Sequence, residues 1–222
     1  AFDISEGLAR AACAGEVDGE VVDLRTVLDK DCELNILTAR DEKGLAVLRH
    51  TASHVMAEAV QTLFPEAKVA IGPSIDTGFY YDFECQSFSR DDLDAIEKEM
   101  KKIIKKGAKI ERFTKSREDA IAFFKEKNEP YKVELIEDLP EGEEISFYSQ
   151  GDWVDLCAGP HLMSTKGIKA FKLLSSSGAY WRGDENKHML TRIYGTAYAT
   201  KDELKEHLTQ LEEAKKRDHN KL

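Results

Sequence analysis

"GLAVLRHTASHVMAEAV", Gly44 to Val60, is the stretch on which the reading of the chain turns. Leu48, Ala52, Val55, Met56, Ala59 and Leu63 recur at helical spacing. A long helix is therefore predicted from about Gly44 to Phe64, stopped by Pro65. His50 and His54 sit one turn apart on it, and at ~100° per residue they lie roughly 200–240° round from Leu48. The two imidazoles point away from the apolar stripe, toward a partner elsewhere in the chain.

Upstream, residues 1–40 read as a small unit. A short helix ("SEGLARAACAG", Ser5 to Gly15) precedes a strand-like "EVVDL" and a second strand, "ELNILTA". Forty residues bury too little surface to be more than marginal alone. Downstream, "VAIGPSIDTGFYYDF" (Val69 to Phe83) reads as two strands joined by a Gly/Pro/Asp turn. Ser89 and Asp92 open a helix whose stripe is Leu93, Ile96, Met100 and Ile103, and Gly107 ends it. "AKIERFT" reads as a strand and "SREDAIAFFKEKN" as a helix. Five strand-like pieces follow: "YKVELI", "ISFYSQ", "WVDL", "IKAFKLLS" and "LTRIYGTAYA". Thr200 and Glu203 form a capping-box pattern before a last helix carrying Leu204, Leu208 and Leu211. Strands and helices mix without regular βαβ alternation, so the class is α+β with an antiparallel sheet and a long helix.

The chain of 222 residues is 41% hydrophobic with a formal net charge of −10 and a pI near 5.2. That composition suits a folded protein and argues against a nucleic-acid coat. The basic run "EMKKIIKKGAKIERFTKSR" (Glu99 to Arg117) is read as a solvated helix face, with phosphate contact as the alternative. Cys13, Cys32, Cys85 and Cys157 are widely spaced and form no C-x-x-C pair, which fits a reducing, cytoplasmic setting. No apolar run reaches the ~18 residues of a membrane span. The first residue is Ala1 rather than Met, which suggests a fragment.

The predicted partner of the histidine pair is "DLCAGPH", Asp155 to His161. Cys157 and His161 flank a Gly159–Pro160 turn and can converge as His50 and His54 do. Three imidazoles and one thiolate are a ligand class of zinc. Three of the six histidines fall in these two motifs. Three readings stay open: a catalytic or metal site, a structural zinc, and coincidence. Four protein ligands would saturate an ion, whereas a catalytic ion needs an open position. Without a metal, the same groups and Asp155 form a polar pocket able to hold and polarise a water.

The ordered set "RHTASH", "AIGPSIDTGFYYDF", "EPYKVELI", "VDLCAGPH", "GAYWRGD", "RIYGTAY" and "LEEAKKRDHNKL" resembles the bacterial threonyl-tRNA synthetases over essentially the whole chain. Thr51 and Ser53 stand where the family often reads H-S-x-A-H, and Asn220 where it often has Arg; neither change touches a candidate reacting group. The resemblance implies a partial TGS (ubiquitin-like) domain over 1–40, an editing domain over 41–199 and a linker helix over 200–222 toward a catalytic core. Nothing in the chain resembles the ATP-binding motifs of that core, so ATP, magnesium and the core zinc are expected to belong outside it.

The implied activity is hydrolysis of mischarged seryl-tRNA. Serine is threonine less one methyl, worth only about 1–3 kcal/mol of discrimination, so a second site is needed to reach translational accuracy. Carried over residue by residue, the catalytic groups would be His50, His54, Lys132, Asp155, Cys157 and His161, with Gly72 and Tyr81 lining the substrate pocket. From the residues alone, Lys132 reads as an exposed strand lysine, Tyr81 as a core aromatic and Gly72 as a turn glycine. Trp181 and Arg182 read as packing and surface. The implied partner is tRNA(Thr), through its terminal seryl-adenosine, and the whole enzyme is expected to dimerise through its core. No cofactor is expected for editing. If zinc binds, its ligands would be His50, His54, Cys157 and His161, as in the related alanyl-tRNA editing proteins. A zinc-dependent hydrolase of that kind, or a non-catalytic tRNA-binding module with structural zinc, are the competing readings.

Overall fold

A computed structural model describes residues 1–220. The N-terminal unit opens with α1 (Glu6–Ala11), whose first turn Ser5 caps by accepting the Leu8 N–H at 3.0 Å. Strands β1 (Ala12–Val17), β2 (Glu20–Val22) and β3 (Leu34–Thr38) form an antiparallel sheet in the order β2-β1-β3. The helix expected through Gly15 thus stops at Ala11. The Ala-rich segment favours helix locally, but Cys13 and Ala14 are buried on the sheet and Gly15 pairs with both Val22 and Ile36. Tertiary pairing overrides propensity here.

Helix α2 (Glu42–Leu63) runs into Phe64 and Pro65 as predicted. Strands β4 (Lys68–Val69), β5 (Ser74–Ile75) and β6 (Gly78–Glu84) follow, so the expected strand pair is three pieces. Helix α3 (Arg90–Lys106) carries the complete Ser89–Asp92 capping box and ends at Gly107, which takes the left-handed conformation at φ 65°. With β10 (Ala170–Tyr180) and β11 (Met189–Tyr198), the main antiparallel sheet runs β10-β11-β6-β4, and β5 pairs with β6. Leu48, Ala52, Val55, Met56 and Ala59 of α2 and Leu93, Ile96 and Met100 of α3 share one core with Phe79, Tyr81, Phe83 and Ile193 of that sheet.

The predicted stripe of α2 is too narrow. Val47 to Val60 is buried on nearly every side, His54 included, while Leu63 is exposed. The side carrying the histidines is covered by a second layer. This layer is the antiparallel sheet β7 (Ile110–Thr114), β8 (Ser146–Gln150) and β9 (Trp153–Leu156), with helices α4 (Arg117–Glu126) and α5 (Pro130–Glu137). Phe124, Ile136 and Phe147 form its own core.

"YKVELI", expected as a strand, is helix α5. Tyr131, Val133 and Leu135 alternate as strand residues do, and a short apolar run cannot be told apart by period alone. Asn128 at φ 54° closes α4, and Pro130 sits in the first turn of α5, where its missing N–H costs nothing. Helix α6 (Lys201–His219) is capped by Thr200, which accepts the Glu203 N–H at 3.2 Å, and Leu204, Leu208 and Leu211 are only half-buried. Lys221 and Leu222, the end of the predicted 200–222 helix, lie outside the described residues. In the basic run, Lys101, Lys102, Lys105 and Lys106 lie on the solvent side of α3. Arg117 instead donates to the Ile136 and Leu139 carbonyls at 2.5 and 2.7 Å, closing the end of α5. The four cysteines are all free thiols. Among the described residues no helix is long and apolar enough to cross a membrane.

Candidate functional site

The predicted convergence is present. α2 presents His50 and His54, and the turn leaving β9 presents Cys157 and His161. Cys157 Sγ lies 3.4 Å from His50 Nε2 and 3.2 Å from His161 Nε2. The His161 ring centroid is 4.1 Å from that of His50 and 4.2 Å from that of His54. One donor atom from each of the four residues falls within 4.8 Å of all the others, a spread that one zinc ion could close.

The turn is shaped by its glycine. Gly159 adopts φ 76°, and a β-carbon there would stand 2.1 Å from the Tyr148 hydroxyl. Its N–H donates to Cys157 Sγ at 3.3 Å. Thr51 fixes His161 from the α2 side. Its hydroxyl reaches the Val47 carbonyl at 3.2 Å, accepts the Leu162 N–H at 3.1 Å and meets His161 Nδ1 at 3.0 Å. A hydroxyl that gives its proton to Val47 must accept from His161, which puts the ring proton on Nδ1 and turns the Nε2 lone pair toward the thiol.

A second cluster adjoins the quartet. Asp155, at the end of β9, is 1% exposed and Lys132 of α5 is 2% exposed. Asp155 Oδ1 meets the Lys132 ammonium at 2.7 Å as an ion contact, outside hydrogen-bond geometry. Asp155 Oδ2 accepts from the Tyr81 hydroxyl at 2.7 Å and lies 3.3 Å from His54 Nε2. The lysine ammonium also stands 5.4 Å from the Tyr81 ring centre. His54 packs edge-on to Trp153, 5.4 Å between ring centres, and the Trp153 indole N–H donates to Gln61 at 2.8 Å.

The two clusters hold opposite ionisation states. Burial pushes the His54 imidazole down to about 3, against the pull of Asp155, and lowers His50 and His161 as well. Burial raises the Cys157 thiol to about 12. All four are therefore neutral near pH 7. Burial also opposes ionisation of Asp155, but Lys132, His54 and the Tyr81 hydroxyl together hold its carboxyl below the usual range.

Both clusters face a cleft of about 290 Å³, lined by His50, His54, Gly72, Lys132, Asp155 and Cys157 among others. Gly72 forms its opposite wall. A β-carbon there would lie 2.1 Å from the Tyr81 ring and 2.7 Å from the Tyr80 carbonyl, so the wall tolerates no side chain. The Ser53 hydroxyl ties that wall to α2, standing 2.9 Å from the Gly72 carbonyl and 2.6 Å from that of His50.

His50, His54, Gly72, Lys132, Asp155 and Cys157 thus line one cleft, and His161 and Tyr81 adjoin it through Cys157 and Asp155. Lys132 is a buried helical lysine rather than an exposed strand one, and Tyr81 is buried with its hydroxyl on Asp155. Trp181 is buried as packing, donating to Glu134 at 2.9 Å, and Arg182 is paired with Asp138. Sequence reasoning missed Thr51, Ser53, Tyr148, Asp23 and Arg25. The hydroxyls inside "HTASH" were a usable signal, since Thr and Ser on a helix face that also bears histidine can orient it. Asp23 and Arg25 gave none, being more than 130 positions from the turn they touch.

Two family models match parts of the chain. A family described as TGS domain matches residues 1–38, and one described as threonyl and alanyl tRNA synthetase second additional domain matches residues 145–194, which span the Asp155–His161 turn. The chain is 62% identical over its whole length to a threonine–tRNA ligase of Acetivibrio thermocellus, covering 35% of that protein. The chain belongs to the threonine–tRNA ligase family. Ligases of Clostridium botulinum and Clostridium novyi are 62% and 60% identical over 100% and 99% of the chain. The chain spans about a third of the length of these curated relatives, with 35%, 35% and 34% of them covered. The small N-terminal sheet with its helix is the ubiquitin-like part of an α+β architecture.

Proposed function

We propose that the cleft hydrolyses the ester of seryl-tRNA(Thr), removing serine that a threonine-specific ligase has attached in error. The single observation that supports this best is the buried Asp155–Lys132 pair at the edge of a cleft otherwise walled by neutral imidazoles. Ester hydrolysis builds negative charge on the carbonyl oxygen, and a buried lysine at the cleft edge, with donors beyond its one carboxylate contact, offsets it. Asp155 holds Lys132 in place.

The terminal adenosine brings its seryl ester to the cleft. His50 and His54 hold the attacking water through their ring nitrogens. Water adds to the carbonyl carbon, the C–O bond to the ribose breaks, and the ribose oxygen leaves with a proton. A His54 ring lowered to about 3 is a poor proton acceptor, which favours the neighbouring ribose 2′-hydroxyl as the relay. Cys157, with its thiol near 12, is unsuited to nucleophilic attack and serves as a neutral wall of the site. Threonine is rejected because its extra methyl would meet the wall at Gly72, which Tyr81 backs from behind.

The proposed partner is tRNA(Thr) alone, in the cytoplasm, with 1–40, 41–199 and 200–222 as TGS, editing and linker parts. ATP, magnesium, a further zinc and the dimer contact are assigned to the remainder of a ligase. The test is release of serine from seryl-tRNA by the chain, lost in His50→Ala and His54→Ala. Release unchanged in both variants would end this reading.

A zinc-dependent hydrolase is the second reading, favoured by the four donors within 4.8 Å of one another. His50, His54, Cys157 and His161 would hold the ion, and a bound zinc would polarise the carbonyl or a water. With all four bound, the ion has no open position, which is why the metal-free form is preferred. Zinc at one equivalent per chain, lost together with activity on chelation, would reverse that preference.

A further inference from the structure

His161 is held by its backbone as well as its ring, and the holding groups come from the N-terminal unit. Asp23 and Arg25 follow β2. Asp23 Oδ2 accepts the His161 N–H at 3.2 Å and the Tyr148 hydroxyl at 2.7 Å. Arg25 Nη1 donates to the His161 carbonyl at 3.2 Å, and Arg25 Nη2 to the carbonyls of Leu162 and Ile110 at 2.8 and 2.6 Å. The two side chains are themselves locked: Arg25 Nη1 lies 2.8 Å from Asp23 Oδ1, and the Arg25 backbone N–H donates to the same oxygen at 2.9 Å. Both peptide groups of one candidate catalytic residue are thus bound by a single Asp–Arg pair. Tyr148, held by Asp23, in turn fills the space beside Gly159.

We infer that Asp23 and Arg25 are positioning residues for His161, so that the N-terminal unit completes the geometry of a cleft it does not line. The guanidinium fork suits this task. Its two terminal nitrogens, held apart in one plane, meet three carbonyls and the Asp23 carboxylate, four acceptors against the three N–H groups a lysine carries on a single atom. Without the pair, the His161 N–H and carbonyl would have only water to turn to, and the Cys157–His161 turn would sample more than one arrangement. A ring displaced by 1 Å is a large loss for a reacting group. The inference rests on the hydrolytic reading only for its kinetic arm.

The experiment uses the full chain with Asp23→Ala, Asp23→Asn and Arg25→Lys. Hydrogen exchange of the His161 amide and the NMR signals of its ring are followed together with single-turnover release of serine. In Asp23→Ala the His161 amide is expected to exchange at least about tenfold faster while core amides such as Val55 and Ile193 keep their protection. Its ring signals should shift or broaden. The release step should slow about tenfold or more with half-saturation unchanged, a split that general destabilisation would not give. Asp23→Asn keeps an acceptor and should restore most of both signals, whereas Arg25→Lys should not restore the anchoring. If Asp23→Ala fails to fold, Asp23→Asn and Arg25→Lys decide between them. An unchanged His161 amide, or a loosened one with unchanged release, overturns the inference. A wild-type chain that releases no serine sinks the hydrolytic reading alone, and the exchange arm still upholds or overturns the anchoring.

Discussion

The two clusters of the cleft invite comparison because they are buried alike and ionised differently. His50, His54, His161 and Cys157 stay neutral because burial outweighs what their neighbours offer, even at His54, which lies 3.3 Å from an Asp155 carboxylate already engaged by Lys132. Asp155 stays ionised against its burial because Lys132 at 2.7 Å, His54 and the Tyr81 hydroxyl hold its carboxyl below the usual range. Burial alone therefore does not decide charge; the balance between desolvation and all the partners of a group does. In the proposed hydrolysis the difference would divide the labour, with one side placing neutral dipoles around a water and the other offering positive charge to a developing anion.

The largest expected effect comes from breaking the charged side. Lys132→Met should leave Asp155 buried without its ammonium, costing about 3–5 kcal/mol of stability in urea unfolding and slowing serine release by about 10²–10³-fold. Pairing it with Asp155→Leu should recover much of the stability and none of the activity. A single variant as stable as wild type would show that the pair is not held as described.

Acidification probes the neutral side. The three histidines are lowered by folding, so the unfolded chain takes up their protons first. Their contribution is intact above pH ~6.5 and is lost as pH falls toward the folded values, at about 1.4 kcal/mol per pH unit for each histidine. Asp155, also lowered, acts in the same direction only below about pH 4. Unfolding free energies that stay flat from pH 6.5 to 4.5 would contradict the neutral assignment. Gly72→Ala should cost about 1–3 kcal/mol, because its new methyl must displace the Tyr81 ring, and the shift should be read in urea unfolding. The smallest effect is expected for Cys157→Ser, which should slow release less than about tenfold if the thiol is only a wall. A thousandfold loss there would restore the thiol as nucleophile.

Legibility followed the physics of each segment. α2 and α3 were readable because apolar period, caps and stop signals agreed. β1 was not, since an alanine-rich run favours helix until a neighbouring strand claims it. α5 was not, because Tyr131, Val133 and Leu135 imitate a strand and only Pro130 spoke for a helix. Nor was the outer reach of β10, where "SSSG" is a poor strand sequence held by its ladder to β11 from Ser175 to Gly178. In the cleft, the H-x-x-x-H and C-x-x-x-H spacings marked four groups from residues alone. Lys132, Tyr81 and Gly72 came from family resemblance, because one lysine, one tyrosine or one glycine carries no local signature. Asp23 and Arg25 depend wholly on long-range packing.

The edge-on contact between His54 and Trp153 gives the cleft an optical handle. The chain has two tryptophans, and the other, Trp181, packs against Tyr131 at a separate site. Indole emission depends on the groups packed against the ring, so emission from a Trp181→Phe chain would report occupancy of the cleft without any label. Light collected at one wavelength would then follow the binding of an uncharged seryl-adenosine analogue in real time.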